Sequence, residues 1–238
     1  MQRVRLRFAR GEAVKYVGHL DFLRFWERAV RRAGLPLAYS QGHHAHPRIA
    51  LAAPLPVGYT SEAELIDLFL ERPISHREVL TRLAAQVPPG IDLMEAVLLD
   101  PQAPSLQSLM QACRYRVRLD TEGQTAADVE ATITRLLQQE TLPWEWQRDT
   151  EVKRIDLRAL VEDLTLEEWR GHECILSMRL VHDSNASGRP ELVTQALGFS
   201  TYPRSIHRTE LSLKRPVPTP AALVRQGRPR SRSARPSR

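Results

Sequence analysis

The stretch Arg3-Val4-Arg5-Leu6-Arg7-Phe8 alternates strictly between basic and apolar residues. A period of two is the pleat of a β-strand. It predicts a core face carrying Val4, Leu6 and Phe8 and a solvent face carrying Arg3, Arg5 and Arg7. After a turn at Arg10-Gly11-Glu12 the period changes. Leu20, Leu23, Trp26, Val30 and Ala33 recur at three- and four-residue spacing, which predicts a helix over 19–33. Arg24, Arg28, Arg31 and Arg32 form a basic stripe elsewhere on that helix. Gly34 suits its end, and Pro36 blocks continuation.

Strands are predicted at 35–40 and 48–53, joined by a loop over 41–47. Pro54, Pro56 and Gly58 then break the chain, with a strand at 62–70, a helix at 75–86 and a strand at 91–98 to follow. The order β-α-β, strands, α-β is that of a ferredoxin-like unit with an inserted hairpin, over residues 1–100. The segment 101–111, opening on Pro101-Gln-Ala-Pro104-Ser, reads as a linker. The order then starts again. A strand at 113–119, a helix at 125–139 and strands near 142–147, 151–158 and 173–182 precede a helix opened by Arg189-Pro190, which runs to about 197. A strand near 204–213 closes the unit. The expected fold class is therefore α+β, with two tandem ferredoxin-like (βαββαβ-type) domains at 1–100 and 112–213. Residues 214–238, rich in Arg, Pro and Ser, cannot build a core and are expected to be a disordered tail.

The net charge of +6 is unevenly placed. Residues 214–238 hold eight Lys/Arg and no acid, while residues 1–50 hold ten basic against three acidic residues, a net of +7. The remaining 51–213 hold 16 basic against 25 acidic, a net of −9. A basic N-terminal segment on an acidic body sets up a local positive field; the alternative is a set of solvated arginines paired with the acidic part. Cys113 and Cys174 have neither metal-ligand nor redox spacing and are expected to be reduced core residues. No stretch approaches the roughly 20 apolar residues of a membrane span, and the N-terminus lacks the apolar run of a signal peptide. A cytoplasmic protein is expected.

Several stretches resemble a bacterial radical-SAM-associated family, a domain of unknown function found fused to, or encoded beside, cobalamin-binding radical SAM proteins. They are Arg7-Phe8, Gly18-His19-Leu20-Asp21, Glu27-Arg28-Ala29, Arg31-Arg32-Ala33-Gly34-Leu35-Pro36, Tyr39-Ser40-Gln41-Gly42, Pro47-Arg48-Ile49, Leu55-Pro56-Val57-Gly58 and Ser61-Glu62. Ala103-Pro104-Ser105-Leu106, Ile155-Asp156-Leu157-Arg158 and Arg189-Pro190 are similar as well. The family usually has an aromatic after the Gln-Gly pair and a proline two places later, where this chain has His43 and Ala45. The resemblance implies a radical SAM protein as partner and a bacterial intracellular setting, and it implies no particular reaction.

The chain is not itself such an enzyme. A 4Fe–4S cluster of that kind needs three closely spaced cysteines, and two distant ones cannot hold it. No phosphate-binding glycine loop or serine nucleophile elbow is present, and no cofactor is expected. His43, His44 and His46 are poorly spaced for a metal, since neighbours in an extended chain point opposite ways. The preferred expectation is RNA binding without catalysis. Arg24, Arg28, Arg31, Arg32 and Arg48 would contact phosphates, Ser40, Gln41 and the Gly42 amide would bond a base or ribose, and Tyr39 or His43 would stack. His19 belongs to the same set, although His19 and Asp21 also suit capping of the helix start. The alternatives are a module that docks on a radical SAM enzyme and a metal-independent RNA-processing enzyme using His19 or His43.

Overall fold

The computed structural model describes residues 1–42, 44–148 and 151–214. The first half runs β1 (Gln2–Arg10), α1 (His19–Arg32), β2 (Ile49–Leu51), β3 (Thr60–Leu70), α2 (His76–Ala84) and β4 (Ile91–Leu99). A short helix, α3 (Leu106–Leu109), leads into β5 (Met110–Asp120), α4 (Ala126–Gln138), β6 (Pro143–Arg148) and β7 (Glu151–Asp156). The chain continues through β8 (Val161–Trp169), β9 (Glu173–Val181), α5 (Pro190–Ala196) and β10 (Ser205–Leu213). One eight-stranded, mostly antiparallel sheet runs β4-β1-β3-β10-β5-β9-β8, with β2 also paired to β3, while β6 and β7 form a separate two-stranded sheet. The two halves join where β3 meets β10 in parallel, with Thr60 opposite His207 and Ser61 opposite Arg208.

Each half has its own apolar cluster. In the first, Val4, Leu6 and Phe8 of β1 pack on Phe22, Trp26, Ala29 and Val30 of α1. Trp26 is fully buried, its ring centre 5.0 Å from that of Phe8 in an edge-to-face arrangement. Burial of each large apolar side chain contributes about 1.5–3 kcal/mol, yet the buried face is not the expected one. Trp26 and Val30 are buried as expected, but Leu20 is 68% exposed, Leu23 and Ala33 are only partly buried, and Phe22 and Ala29 take the core positions. In the second, Val129, Ile133 and Leu136 of α4 and Leu192 and Val193 of α5 pack against β5 and β9. Ala52, Ala53, Leu55 and Tyr59 belong to this second cluster although they precede β3. The Pro-rich break in the first half is thus built into the core of the second.

The basic face of β1 is a solvent face only at Arg7, which is exposed. Arg3 is 2% exposed. Its guanidinium donates to Asp67 Oδ2 at 2.6 Å and to the carbonyls of Ala103 and Pro104 at 2.7 and 2.9 Å. Arg5 donates from Nε to the other oxygen of the same carboxylate at 2.7 Å. The predicted linker therefore carries carbonyls that help cover this face. Alternation states that the two faces of a strand differ, and not that the second is wet.

Other local expectations are corrected too. Residues 35–40 form no strand. They make only isolated bridges, Leu37 to Leu70 and Tyr39 to Pro47, because Pro36 lacks an amide for a ladder. The N-cap of α1 is Gly18, with no side-chain cap, and Asp21 instead meets Arg24 at 3.2 Å. The strand β8 went unpredicted because its register shifts twice, between Val161 and Asp163 and between Leu166 and Glu168. Such bulges destroy the period of two by which a strand is read. Its acids pair with arginines of neighbouring strands, as Arg116 to Glu167 at 2.8 Å and Arg179 to Glu162 at 2.6 Å.

A surface clamp ties α4's leading turn to the segment after α5. Glu122, at φ 52°, accepts from the amides of Ser200 and Thr201 at 2.9 and 2.8 Å and from both hydroxyls. The Thr201 and Ser200 donors hold its carboxyl down at about 2. A depressed carboxylate stabilises the fold above its ordinary pKa, and the contribution is lost as pH falls through the folded value. The melting-temperature gap between wild type and Glu122→Gln is therefore expected to be constant above pH 5 and to close between about pH 4.5 and pH 2. Thermal unfolding across that range checks it.

Candidate ligand site at the seam

A cavity of about 520 Å³ opens beside the β3–β10 junction. Three stretches distant in sequence line it. His19 comes from the start of α1, Pro54 to Val57 and Tyr59 from the segment before β3, and His182 with Ser187 to Glu191 from the connection between β9 and α5. Tyr115, Tyr202 and Arg208 complete the wall. Local chemistry fixes each part. Gly58 takes φ 88° and donates its amide to Lys15 O at 2.9 Å, which anchors the proline turn. At Gly188 an added Cβ would lie 2.7 Å from Leu180 Cβ, so only glycine lets the backbone approach β9 there. Pro190 opens α5 immediately after Arg189.

Arg208 is the electrostatic centre. It is 1% exposed and faces Glu64, itself buried, with Nη1 2.9 Å from Oε1. Burial opposes the guanidinium's charge, but Glu64 and the Tyr115 hydroxyl outweigh it and hold its pKa above the ordinary value. Its Nη2 lies 3.4 Å from the Tyr115 hydroxyl, and its Nε has no acceptor among the described residues. A buried N–H left unpaired costs about 1–3 kcal/mol. Nε is closed off from solvent in this structure, as is the equally unpaired Trp26 Nε1, so a ligand in the cavity meets it only if the Arg208 side chain shifts. Nearby, the Tyr59 hydroxyl donates to Glu191 at 2.6 Å, and burial together with Glu191 pushes that phenol up, so it stays a donor. The Arg189 guanidinium lies 4.3 Å over the Trp146 ring and 3.4 Å from the Glu191 carboxylate.

Ser187 and His182 form the nearest approach to a nucleophile and base in this wall, with the hydroxyl 2.9 Å from Nδ1. Burial, and then the Arg208 charge, push the imidazole down to about 4. A ring that weakly basic is neutral near pH 7 and a poor general base. The two residues also face each other across an isolated bridge, which accounts for their contact structurally. The wall offers guanidinium and phenol donors and aromatic surface, a recognition chemistry for a planar ligand that carries an acceptor group.

Two further concavities flank the cavity. One, of about 370 Å³, lies under the β6–β7 hairpin and shares Ser187 and Arg189 with it. The other, of about 270 Å³, is lined by Leu20, Leu23, Arg24, Glu27, His46, Pro47 and Ile49. His19 of the cavity and Leu20 of this groove are consecutive on α1, and the two concavities share no lining residue.

Of the residues expected to bind RNA, His19 alone lines the seam cavity, and Leu55-Pro56-Val57 and Arg189-Pro190, which carry the resemblance, line it as well. Arg24 lines the neighbouring groove. Arg28 is exposed on α1, Arg31 pairs with Glu27 at 2.5 Å, and Arg32 donates to Gln86. Ser40 closes the 41–47 loop by accepting the His46 amide at 2.9 Å, while Gln41 and Gly42, the latter at φ 122°, are exposed. The Arg48 guanidinium stacks on Phe69 at 4.5 Å. His43 lies outside the described residues, as does the tail from residue 215. Among the described residues no three His, Cys, Asp or Glu side chains group as a metal site, and no helix is long and apolar enough to cross a membrane. Asp156 and Arg158 do not pair through their side chains: the carboxylate accepts the amides of Leu142 and Arg158, and the guanidinium meets the carbonyls of Leu137 and Val161. Sequence reasoning missed Arg208, Tyr59, Tyr202 and His182. The available signal for Arg208 was an arginine two residues from the apolar Ile206, hence on the same, buried face of the strand.

The fold and cavity define a mixed α/β protein with a ligand-sized site between two halves of one sheet. The chain belongs to a bacterial family described as an uncharacterized protein conserved in bacteria (DUF2344), which matches residues 3–190. No curated protein shows significant similarity to it. Solved structures with some likeness include a Cbf5-Nop10-Gar1 complex, at 9% identity and TM-score 0.48, covering 88% of this chain and 48% of that one. An archaeal box H/ACA sRNP Nop10-Cbf5 complex gives 10% identity and TM-score 0.44, covering 89% and 48%. An unknown protein from Galdieria sulphuraria gives 10% identity and TM-score 0.25, covering 83% and 87%. This chain spans about half the length of the first two. No part of the functional reading rests on these likenesses.

Proposed function

We propose that this protein binds RNA, or an RNA-containing substrate, without catalysing a reaction on it, and that one nucleotide enters the seam cavity. The observation that carries the reading is the cavity wall itself, which brings together Arg189, Arg208, three tyrosines and two histidines. Phosphate and ribose are acceptor-rich, and a base stacks on aromatic or guanidinium surfaces. The cavity's position between two flanking concavities favours an extended ligand over a compact one. The basic groups of α1 then lie along the strand's path, with Arg24 in the groove next to His19. The radical SAM partner implied by the sequence resemblance belongs to the same proposal, as the enzyme to which the bound substrate is presented. Each half is taken as a ferredoxin-like unit; the strand orders β4-β1-β3-β2 and β10-β5-β9-β8 support this.

The test is fluorescence anisotropy with a labelled single-stranded RNA and the full chain. Arg189→Glu is expected to weaken binding at least about tenfold, and wild-type affinity to fall steeply with salt. Unchanged affinity on charge reversal would remove the seam cavity from the RNA path.

A further inference from the structure

We propose that the cavity under the β6–β7 hairpin is a nucleobase subsite, so that the site takes two consecutive nucleotides, one in the seam cavity and the base of the next against Trp146. This rests on the reading of the seam cavity given above.

Three observations point to it. The two cavities are adjacent and share the lining residues Ser187 and Arg189. The shared guanidinium lies over the Trp146 ring, its carbon 4.3 Å from the ring centre, which places a cation–π pair at the junction. The lining then divides as a base would require. Trp146, Ile155, Leu160 and Leu192 supply apolar surface, while Asp156 and Asn185 lie among the lining residues as polar groups. The Asp156 carboxylate uses Oδ1 for two backbone amides, and its Oδ2 makes no hydrogen bond among the described residues. A nucleobase has apolar faces and a polar edge of donors and acceptors, and its faces stack on aromatic and guanidinium planes. A lipid tail or aliphatic side chain would leave the carboxylate and carboxamide unused. With a phosphodiester beside Arg189, the spacing of one cavity from the next through a single side chain suits adjacent units of one strand.

The experiment titrates the full chain calorimetrically with adenylyl-adenosine and with the methyl ester of AMP. Both carry one phosphodiester charge, and only the first has a second base. Stacking on an aromatic side chain is sequence-tolerant and predicts about a tenfold tighter binding of the dinucleotide. That ratio is expected to fall towards one in Trp146→Ala and to be retained in Trp146→Phe. A wild-type ratio near one overturns the subsite whatever the variants do, as does a tenfold ratio that survives Trp146→Ala. If neither probe binds, the seam cavity is not a nucleotide site and this proposal falls with that reading. A methyl ester that binds with no dinucleotide advantage removes the subsite alone.

Discussion

Asp67→Ala is expected to lower the unfolding free energy by about 3–5 kcal/mol, because it leaves buried cations without their counter-charge. The carboxylate is fully buried and is the shared acceptor for Arg3 and Arg5, at 2.6 and 2.7 Å. The carbonyls of Ala103 and Pro104 that also meet Arg3 carry partial charges only, so they do not replace it. A domain's whole stability is about 5–15 kcal/mol, and the loss would leave little. The comparison that decides between burial and mere pairing is Glu27→Ala. Its partner Arg31 is 66% exposed, and solvent-screened pairs of this kind contribute about 0–1 kcal/mol. Urea unfolding of both variants, read as midpoints at constant slope, measures the difference. Equal small shifts would mean that the Arg3–Asp67–Arg5 group does not hold the first half together.

Arg208→Met has the second large effect, and it separates stability from binding. Removing the guanidinium strands Glu64, whose side chain is 4% exposed, and is expected to cost about 3–5 kcal/mol. Replacing the pair together, as Arg208→Met with Glu64→Met, is expected to recover most of that, since buried ion pairs exchange for apolar side chains at little net cost. RNA affinity is expected to be lost in the single and the double variant alike, because both lack the guanidinium. Chemical denaturation and anisotropy on the same samples give the two readouts. A double variant that folds well and still binds RNA at wild-type affinity would make Arg208 purely structural.

The residues that declared themselves in the sequence are those whose periodicity is local. Val4, Leu6 and Phe8, and the helix α1 itself with Trp26 and Val30 inside, were legible because each repeats within one element, whereas Leu20 was placed in the core and is exposed, with Phe22 buried instead. Arg3 was misread because its burial depends on Asp67, 64 residues away, and on carbonyls about 100 residues away. The strand β8 was hidden by bulges that exist only in register with β9. The site was still harder to read. His19, Leu55-Pro56-Val57 and Arg189-Pro190 were visible as separate stretches, yet only the β3–β10 junction brings them around one cavity. The basic stripe of α1 drew attention as charge, whereas Arg208, whose Nε is one of two buried side-chain donors left unpaired among the described residues, lies on β10. Charge density is a property of sequence; an unpaired buried donor is a property of packing.

Photo-crosslinking of the full chain to single-stranded RNA containing 4-thiouridine, followed by peptide mapping, locates the bound strand directly. Seating of a nucleotide in the seam cavity requires crosslinks in the peptides that carry Tyr59, Trp146 or Tyr202, and their loss in the Arg208→Met, Glu64→Met double variant. Crosslinks confined to residues 214–238, or unchanged in that variant, would place the RNA on the basic tail and exclude the cavity as its site.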